Sequence, residues 1–564
     1  MKYNTFIKKS DQYTYEHIYI VFRKYFQFDE NKYEYLIKDI IKVLMEFEKK
    51  GETIIDVDNI QINFDLYNDN WPNEHLKCLR ESGLKNLSNS PIVNNGRKIS
   101  WSKWSTKLER VTKILLNKIN VQDKDNLKLE SKENKIEQIL DILKFSNLVL
   151  LQGGPGTGKT TLVINLLSSF FKAKTNLNIG LSAPTGKATA RIKEALNNNL
   201  DYSELNLFTL ECQTLHSWIY NTTNASKLKL RLTDLDFFII DECSMLSIDI
   251  FEIILECLNS DCKIILVGDS KQLPPINNCS IWNNIFDNMK NSPFEFCTVN
   301  LNKIFRNIGD IQELSKLIFN KDQSLFNQKV DLIIKSQTFS NVNINIQTKK
   351  NLPNKLVEEV LFFTNELKVK TNKLSRKNYI FKRNIDNLID YEKDSVLDIF
   401  NTLNSQLILC SSNTGKWSVK DVNSIVINEN EPFDFLTLEE GIPIMCVENN
   451  NELGISNGDI GVLIGENKTR RFLFRKFNKE NELIFSLIDP FRLEKIVPAL
   501  AVTIHKSQGS EAEKVMILWH KEHKSNKANY RSEDFMFFRD NYEKRLFYTG
   551  ITRAKKNLEI FYLD

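Results

Sequence analysis

The sequence lacks the patterns by which metal sites, membrane spans and secretion are usually recognised. Its nine cysteines include no CxxC pair, which excludes the common zinc and iron–sulfur ligand patterns. No apolar run approaches the ~20 residues that a membrane-spanning helix needs. The first residues, Met1–Asn4, lead into mixed polar sequence, so we expect no signal peptide. We therefore predict a soluble, cytoplasmic protein with no membrane partner.

An excess of one charge sign is also absent. The 564 residues carry 76 basic and 72 acidic side chains, a net charge of +4, so bulk charge does not indicate nucleic-acid binding. Any DNA groove must then be a local basic feature. No spaced Asp/Glu/Lys set typical of a nuclease occurs, and we expect no cleavage site in this chain. The length predicts three or four domains, because it exceeds what one core supports.

One stretch predicts nucleotide binding. An apolar strand, Leu148–Gln152, is followed by a glycine-rich loop and an apolar-faced helix, which is the context that a P-loop requires. Glycines let backbone N–H groups surround a phosphate, and the helix N-terminus adds free donors. Lys159 can reach the β- and γ-phosphates. We expect ATP to be held by Gly153, Gly154, Pro155, Gly156, Thr157, Gly158, Lys159, Thr160 and Thr161.

A second apolar strand, Phe237–Ile240, ends in Asp241 and Glu242, which is the Walker B arrangement. We expect Asp241 and the Thr160 hydroxyl to hold Mg²⁺, and Glu242 to position or deprotonate the attacking water. Strands alternate with helices from about residue 130, so the predicted fold class is α/β with parallel sheets.

Other residues at the carboxyl edge of this sheet suit a nucleic-acid backbone. Thr185, Lys187 and Thr189 follow the strand predicted at Asn178–Ser182, at the edge where open α/β sheets bind ligands. His216 either contacts nucleic acid or forms a core pair with Trp218. Lysine, arginine and leucine alternate over residues 227–232, which predicts a small two-stranded insertion near 219–236.

The strand Lys263–Val267 leads into Gly268-Asp269-Ser270-Lys271-Gln272-Leu273-Pro274-Pro275, and here the order of motifs resembles the superfamily 1 helicases. The resemblance extends over residues 130–564 and implies two RecA-like domains. It places Gln272 beside the γ-phosphate, makes Arg306 and Arg553 the arginines supplied by the second domain, and makes Thr503, His505 and Ser507 DNA contacts. The family's adenine-sensing Gln has no exact counterpart: Gln138 lies nearer the P-loop than expected, and Asn134 is the alternative.

Within this superfamily, the amino-acid sequences of several segments are similar to those of the RecD-like branch and most similar to the family of exodeoxyribonuclease V alpha subunits. These segments are Ala183–Ala188, Thr214–Trp218, Asp241–Met245 and Asn457–Gly461. The resemblance implies a 5′→3′ DNA helicase that joins beta and gamma subunits, binds single-stranded DNA and processes double-strand ends for recombination. Two other readings stay open, a stand-alone RecD-like helicase and a scaffold subunit with a decayed ATPase.

The predicted domain plan has four parts. Residues 1–120 form a helical, partner-docking domain, and a first RecA-like domain follows over 130–295. The second RecA-like domain is split into 296–414 and 497–564 by an all-β, SH3-like insertion at 415–496, where Asn457-Gly458 indicates a turn.

Overall fold

The structure is a computed structural model of the chain. It describes residues 15–24, 30–119 (apart from 59, 61, 63, 69, 83 and 85–89), 134–172, 177–199, 208–220, 231–305, 309–336, 341–376, 390–427, 438–520 (apart from 451, 467–468, 478–482 and 494), 537–538 and 540–563. Along this part of the chain, no helix is both long and apolar enough to cross a membrane.

The N-terminal domain combines helices with a small sheet. Residues 15–24 are helical. The other elements are α1 (Glu30–Lys49), β1 (Ile54–Asp56), α2 (Asn73–Glu81), β2 (Ile92–Asn95), β3 (Lys98–Trp101) and α3 (Ser102–Asn117). The strands form an antiparallel sheet in the order β1–β3–β2. The domain is mainly helical, and its small sheet was not predicted, because strands of three or four residues are too short to show a period of two.

The first RecA-like domain is a six-stranded parallel sheet with helices between its strands. Its elements are α4 (Lys135–Phe145), β4 (Leu148–Gly153), α5 (Lys159–Lys172), β5 (Leu177–Ala183), α6 (Gly186–Asn199), β6 (Phe208–Thr214), α7 (Leu215–Tyr220), β7 (Phe237–Ile240), α8 (Ile248–Cys257), β8 (Lys263–Gly268), α9 (Ile281–Asp287) and β9 (Thr298–Leu301). The strand order is β6–β5–β7–β8–β4–β9. The central strands are apolar throughout because both faces of the sheet are covered.

Two predictions about this domain need correction. The boundary at residue 295 is too early, because β9 pairs in parallel with β4 and so completes the first sheet. The two-stranded insertion near 219–236 is also wrong where the structure describes it, since residues 231–233 are helical. Residues 221–230 lie outside the described residues.

The N-terminal domain and the first RecA-like domain share one hydrophobic core. Helix α3 packs along α8. Trp101 and Trp104 are buried in this core, as is usual for large aromatic side chains. The Lys118 ammonium donates to the carbonyls of Asn259, Ser260 and Cys262 at 2.6, 2.8 and 3.1 Å. The two domains are therefore packed as one folded unit.

The second RecA-like domain and the β insertion alternate along the chain. Their elements are α10 (Asp310–Leu317), α11 (Gln323–Ser336), β10 (Val342–Gln347), α12 (Asn354–Ser375), α13 (Asp390–Ser405), β11 (Gln406–Cys410), α14 (Val419–Asn423), β12 (Pro443–Cys446), β13 (Ile460–Ile464), β14 (Arg471–Phe477), β15 (Leu483–Ile488), β16 (Ile496–Pro498), β17 (Ala501–Thr503), β18 (Ala512–His520), α15 (Asn541–Ile551) and β19 (Ala554–Leu563). The parallel sheet has the order β10–β19–β18–β11–β17.

The insertion is an antiparallel sheet in the order β15–β14–β13–β12–β16. Its predicted range of 415–496 is shifted at both ends. Trp417 and Val422 are buried with Ile408 in the core of the second RecA-like domain, so the first residues of that range belong there. At the other end, β16 continues to Pro498 and pairs with β12. A turn does occur at residues 457–458, just before β13, while an SH3-like closure stays a prediction.

Candidate active site

The P-loop connects β4 to α5 at the carboxyl edge of the first sheet. Gly156 and Gly158 have φ of 73° and 79°, a conformation that glycine adopts without the steric cost of a side chain. The Lys159 ammonium folds back over the loop and donates to the carbonyls of Gly153 and Gly154 at 2.7 and 3.0 Å. The loop thus places a cation and the free N–H groups of a helix N-terminus on one side of the cleft.

The Asp241 carboxylate lies beside this helix N-terminus. Thr160 donates from Oγ1 to Asp241 Oδ2 at 2.9 Å. Burial raises the pKa of Asp241, and the neighbouring Glu242 raises it further, while Lys159 and the Thr160 hydroxyl oppose the rise. A buried carboxylate with a second acid beside it is an environment that a cation would stabilise. Oxygen donors of this type are the ones that Mg²⁺ prefers, so the donor set fits that ion.

Glu242 has a left-handed backbone, with φ 55° and ψ 42°. A non-glycine residue in this region is uncommon, and such strain is found where the surrounding structure imposes it, often at active sites. Glu242 lies two residues after the end of β7, where this backbone conformation turns the chain into the short 3₁₀ helix Cys243–Met245.

Gln272 is also part of the cleft, although it is only 2 % exposed. Its Nε2 lies 3.5 Å from Asp269 Oδ2, and its Oε1 has no hydrogen-bond partner among the described residues. A buried amide oxygen without a partner costs free energy, so this side chain is poised to gain one.

The second RecA-like domain contributes Arg553, which follows α15. Its guanidinium is 4 % exposed and donates from Nε to the Thr549 carbonyl at 3.0 Å. Burial lowers the pKa of Arg553, and the negative charge of Glu242 opposes that shift. Because arginine stays protonated in proteins, this side chain is a buried cation directed toward the acidic edge of the first domain.

These groups meet at one cavity of about 870 Å³ between the two sheets. Of the residues predicted for nucleotide chemistry, those that line it are Pro155, Gly156, Thr157, Gly158, Lys159, Thr160, Thr161, Asp241, Glu242, Gln272 and Arg553. Gly153 and Gly154 begin the same loop. Arg306 lies outside the described residues, although Phe305 just before it lines the cavity and donates from its backbone N–H to the Gly156 carbonyl at 2.8 Å.

The sequence reasoning missed an ion pair in the same cavity. Arg191 of α6 binds Glu511 at 2.7 Å, joining the two RecA-like domains across the cleft. Both residues follow recognised motifs by only a few positions, but nothing in their spacing indicates that they meet.

The residues predicted to bind DNA lie along the same edge, and most of their hydroxyls are engaged within the chain. Thr189 donates to the Thr185 carbonyl at 3.0 Å, and Ser507 donates to the Ile504 carbonyl at 2.7 Å. Thr503 is buried and accepts from the backbone of Lys506. These hydroxyls therefore hold the loops in shape, whereas Lys506, which the prediction omitted, is exposed.

Three cationic or imidazole side chains at this edge differ in their surroundings. Burial lowers the pKa of Lys187 to about 8, with Asp459 of the β insertion opposing the shift. Burial also lowers the pKa of His505 to about 4, and its Nε2 lies 2.7 Å from the Tyr542 hydroxyl. His216 is exposed, while Trp218 is fully buried against Phe238, which argues against a buried His–Trp pair.

Asn134 and Gln138, the two candidates for the adenine contact, do not line the cavity. Asn134 caps α4 by accepting from the backbone of Ile136 at 3.1 Å. Gln138 is buried, and its side chain accepts a hydrogen bond from Lys135. Of Asn134, Lys135 and Gln138, Lys135 is the one that lines the cavity.

Several known protein families and proteins are similar to this chain. Residues 137–278 match the family model for an AAA domain, and residues 447–564 match the UvrD-like helicase C-terminal domain. The RecBCD enzyme subunit RecD of Buchnera aphidicola subsp. Acyrthosiphon pisum is 31 % identical, over 87 % of this chain and 84 % of that protein. Its counterpart from the subspecies Schizaphis graminum is 29 % identical, over 93 % and 92 %. A structure of Bacteroides Pif1 bound to single-stranded DNA aligns over 76 % of this chain and 91 % of its own, with 17 % identity and a TM-score of 0.40.

The P-loop, the Asp–Glu pair and an arginine from a second RecA-like sheet share one cleft, and relatives match along almost the whole chain. The chain belongs to the RecD family of superfamily 1 helicases and is an ATP-dependent DNA helicase.

Proposed function

We propose that this chain is the 5′→3′ motor subunit of a heterotrimeric helicase–nuclease that processes double-strand DNA ends for recombinational repair. The observation that supports this assignment is the match to RecBCD enzyme subunits RecD over 84–92 % of their length and 87–93 % of this chain, a coverage that includes at least part of the N-terminal domain. The proposed partners are the beta and gamma subunits of exodeoxyribonuclease V, with the nuclease site on a partner.

The proposed ATP chemistry uses groups from both sides of the cleft. Lys159 and the P-loop N–H groups bind the phosphates, and Glu242 orients and deprotonates the attacking water. Gln272 donates from Nε2 to the γ-phosphate, and its Oε1 accepts from the attacking water, so this side chain can detect whether the phosphate is present. Arg553, with Arg306, stabilises the charge on the transferring phosphoryl group. Thr160 and Asp241 would hold Mg²⁺, which supplies further charge neutralisation when bound.

The proposed DNA path follows the carboxyl edges of the two parallel sheets. Thr185, Lys187, Thr189 and His216 line the first domain's part of it, and Thr503, His505 and Ser507 the second domain's part. Since most of these hydroxyls already hold their own loops, we propose that Lys187 and Lys506 supply the phosphate contacts and that the loops' backbone groups complete them.

Polarity is tested by strand separation on tailed duplexes. The full-length chain should open duplexes with a 5′ single-stranded tail and leave those with a 3′ tail intact, in the presence of ATP and Mg²⁺. Lys159→Gln is the matched control, because it removes the phosphate-binding cation from the surface of the fold and should abolish DNA-stimulated hydrolysis. Opening of 3′-tailed duplexes alone would reject the assigned polarity, and near-normal turnover by Lys159→Gln would reject the P-loop's catalytic role.

Partnership is tested by affinity purification of the tagged chain from its native cell. Two large co-purifying subunits would support the heterotrimer.

On the N-terminal domain, Tyr35 and Tyr67 are 61 % and 54 % exposed, and their ring centroids lie 5.4 Å apart. Exposed aromatic pairs are typical of docking surfaces. The double substitution Tyr35→Ser/Tyr67→Ser should therefore release a partner while the chain keeps its own ATPase activity.

A stand-alone helicase is the competing assignment. The ATP-dependent RecD2 DNA helicase of Deinococcus radiodurans is 33 % identical, but over only 25 % of this chain and 18 % of that protein. A tagged chain that purified alone, yet hydrolysed ATP on single-stranded DNA, would favour this alternative.

A further inference from the structure

The end of helix α1 forms a tight turn in the N-terminal domain. Gly51 has a φ of 74°, its N–H bonds the Glu48 carbonyl at 2.9 Å, and the next N–H, of Glu52, bonds the Phe47 carbonyl at 3.0 Å. This pair of bonds is the Schellman ending of a helix, and it needs a left-handed residue at the position of Gly51. The turn Lys50–Glu52, which we call the α1 turn, is therefore fixed in direction by the helix.

The α1 turn is pressed against the segment that carries Gln272. A Cβ atom on Gly51 would lie 2.6 Å from the Pro275 carbonyl oxygen and 2.7 Å from the Pro274 ring. Real Cβ atoms do not approach backbone this closely, so only glycine allows this contact. Two independent features thus restrict position 51 to glycine: the left-handed backbone conformation and the proximity of the two prolines.

Those prolines directly follow a segment that is bound by the second RecA-like domain. Leu273 is fully buried in that domain's core. Its N–H donates to Thr549 Oγ1 at 3.2 Å, and its carbonyl accepts from Gln508 Nε2 at 3.3 Å. Gln272, Leu273 and the prolines therefore lie between the α1 turn on one side and the second domain on the other.

The α1 turn also binds the second domain directly. The Lys50 ammonium forms an ion pair with Asp540 at 2.6 Å and lies 5.7 Å from the Tyr542 ring centroid. Asp540 caps the N-terminus of α15, the helix that leads to Arg553, by accepting from the backbone of Glu543 at 2.8 Å. Tyr542 in turn contacts His505. One side chain of the N-terminal domain thus contacts the helix that positions the arginine.

We propose that Lys50 and Gly51 are positioning residues for ATP hydrolysis, through which the N-terminal domain fixes the Gln272 segment and helix α15 relative to the first RecA-like domain. The N-terminal domain shares its core with the first domain, so it provides a rigid support for this contact. A partner that binds the N-terminal domain could then alter turnover without touching the nucleotide.

The proposal is tested by steady-state ATP hydrolysis at saturating single-stranded oligo-dT, with the full-length chain and any subunits that co-purify. Lys50→Met keeps the aliphatic stem and removes the charge. Lys49→Met is the matched control, because Lys49 forms its ion pair with Glu46 of its own helix. We expect Lys50→Met to lower kcat about two- to five-fold, the range for loss of a partly exposed ion pair. KM for ATP should stay within about two-fold, since the P-loop is untouched.

Lys50→Arg keeps the ion pair and should restore kcat, and Lys49→Met should resemble the wild type. Amide hydrogen exchange in residues 270–273 should speed up in Lys50→Met and not in Lys49→Met, because that segment loses its support. Gly51→Ala should lower kcat and speed up amide exchange in residues 270–273 more than Lys50→Met does. If Gly51→Ala does not fold, the comparison of the Lys50 and Lys49 variants tests the proposal. Equal kcat for Lys50→Met and Lys49→Met, or a rise in KM with kcat unchanged, would overturn the proposal.

Discussion

Tyr548 donates a 2.9 Å hydrogen bond from its hydroxyl to Asp269 Oδ2, across the boundary between the two RecA-like domains. The same hydroxyl lies 3.1 Å from the position that a Cβ of Gly154 would occupy, so it also lines the start of the P-loop. Burial raises the pKa of Tyr548 well above its usual range, and the charge of Asp269 adds to the rise, so the phenol stays protonated and serves as a donor. This bond joins α15, the helix that leads to Arg553, to the segment that carries Gln272.

Tyr548→Phe should destabilise the protein by about 1–3 kcal/mol, because Asp269 is 1 % exposed and would lose its hydroxyl partner. The measurement is the first transition in thermal or urea unfolding. Tyr33→Phe is the control, since the Tyr33 hydroxyl donates to Glu81 at the half-exposed surface of the N-terminal domain and its loss should cost less than about 1 kcal/mol. Equal losses in the two variants would show that the Tyr548 bond contributes no more than a surface contact.

Glu242→Asn should make the protein more stable and inactive in hydrolysis. Asparagine enters the left-handed region more readily than glutamate, so relief of the strain at φ 55° should add about 0.5–1 kcal/mol. Glu242→Gln removes the same charge beside Asp241 without easing the backbone, and it should be inactive but less stable than Glu242→Asn. The comparison needs ATP hydrolysis rates and melting temperatures of both variants. A Glu242→Asn protein no more stable than Glu242→Gln would show that the backbone is not strained.

Affinity for single-stranded DNA should fall as pH rises from 7 to 9 if Lys187 binds a phosphate. Its pKa of about 8 in the free chain is depressed by burial, so the ammonium is lost through this range unless DNA stabilises it. Burial disfavours the charged form of Lys187 in the folded state and not in the unfolded chain. The free energy of unfolding should therefore increase as pH rises above 8, where the buried ammonium loses its proton. Fluorescence anisotropy at constant ionic strength measures the affinity.

Lys187→Arg provides the control for this pH dependence, because arginine stays charged and should give a flatter profile. Parallel profiles for the two proteins would exclude Lys187 as the titrating contact. The carboxyl of Asp459, whose pKa burial raises to about 6, is already ionised over this range and should not contribute.

Leu273→Ala should be strongly destabilising even though the residue belongs to a loop of the first domain. Its side chain is fully buried in the second domain's core, and such truncations cost about 2–5 kcal/mol. Ile276, three residues further on, is 54 % exposed, and Ile276→Ala should change stability by less than about 0.5 kcal/mol. Unfolding midpoints of the two variants test this, and similar values would mean that Leu273 is not an anchor.

The sequence predicted best the features that are local. The apolar run Phe237–Ile240 is a strand with the predicted bounds, because a strand covered on both faces leaves an uninterrupted apolar segment. The end of α1 just before Gly51 is a local feature of the same kind, since a glycine that can adopt the left-handed conformation is visible in the sequence itself. The P-loop lies between a strand and a helix as its spacing predicted.

Features that depend on distant pairing were not predictable from one sequence. The strand Thr298–Leu301 could have belonged to either sheet, and only its pairing with β4 assigns it. Residues 320–400 carry no recognisable motif, yet their described part supplies α11, α12, most of α13 and the edge strand Val342–Gln347. The bond between Leu273 and Thr549 joins positions 276 residues apart, and no local pattern indicates such a contact.

The common core of the N-terminal domain and the first RecA-like domain has a consequence for how the chain is made. Helix α3 leaves the ribosome well before α8, against which it packs, and the three carbonyls that bind Lys118 are synthesised later still. The apolar face of α3 therefore stays uncovered during that interval, when exposed apolar surface promotes aggregation. We therefore expect a fragment that ends near residue 120 to be less stable than the same domain in the full chain, because it would lack part of its core.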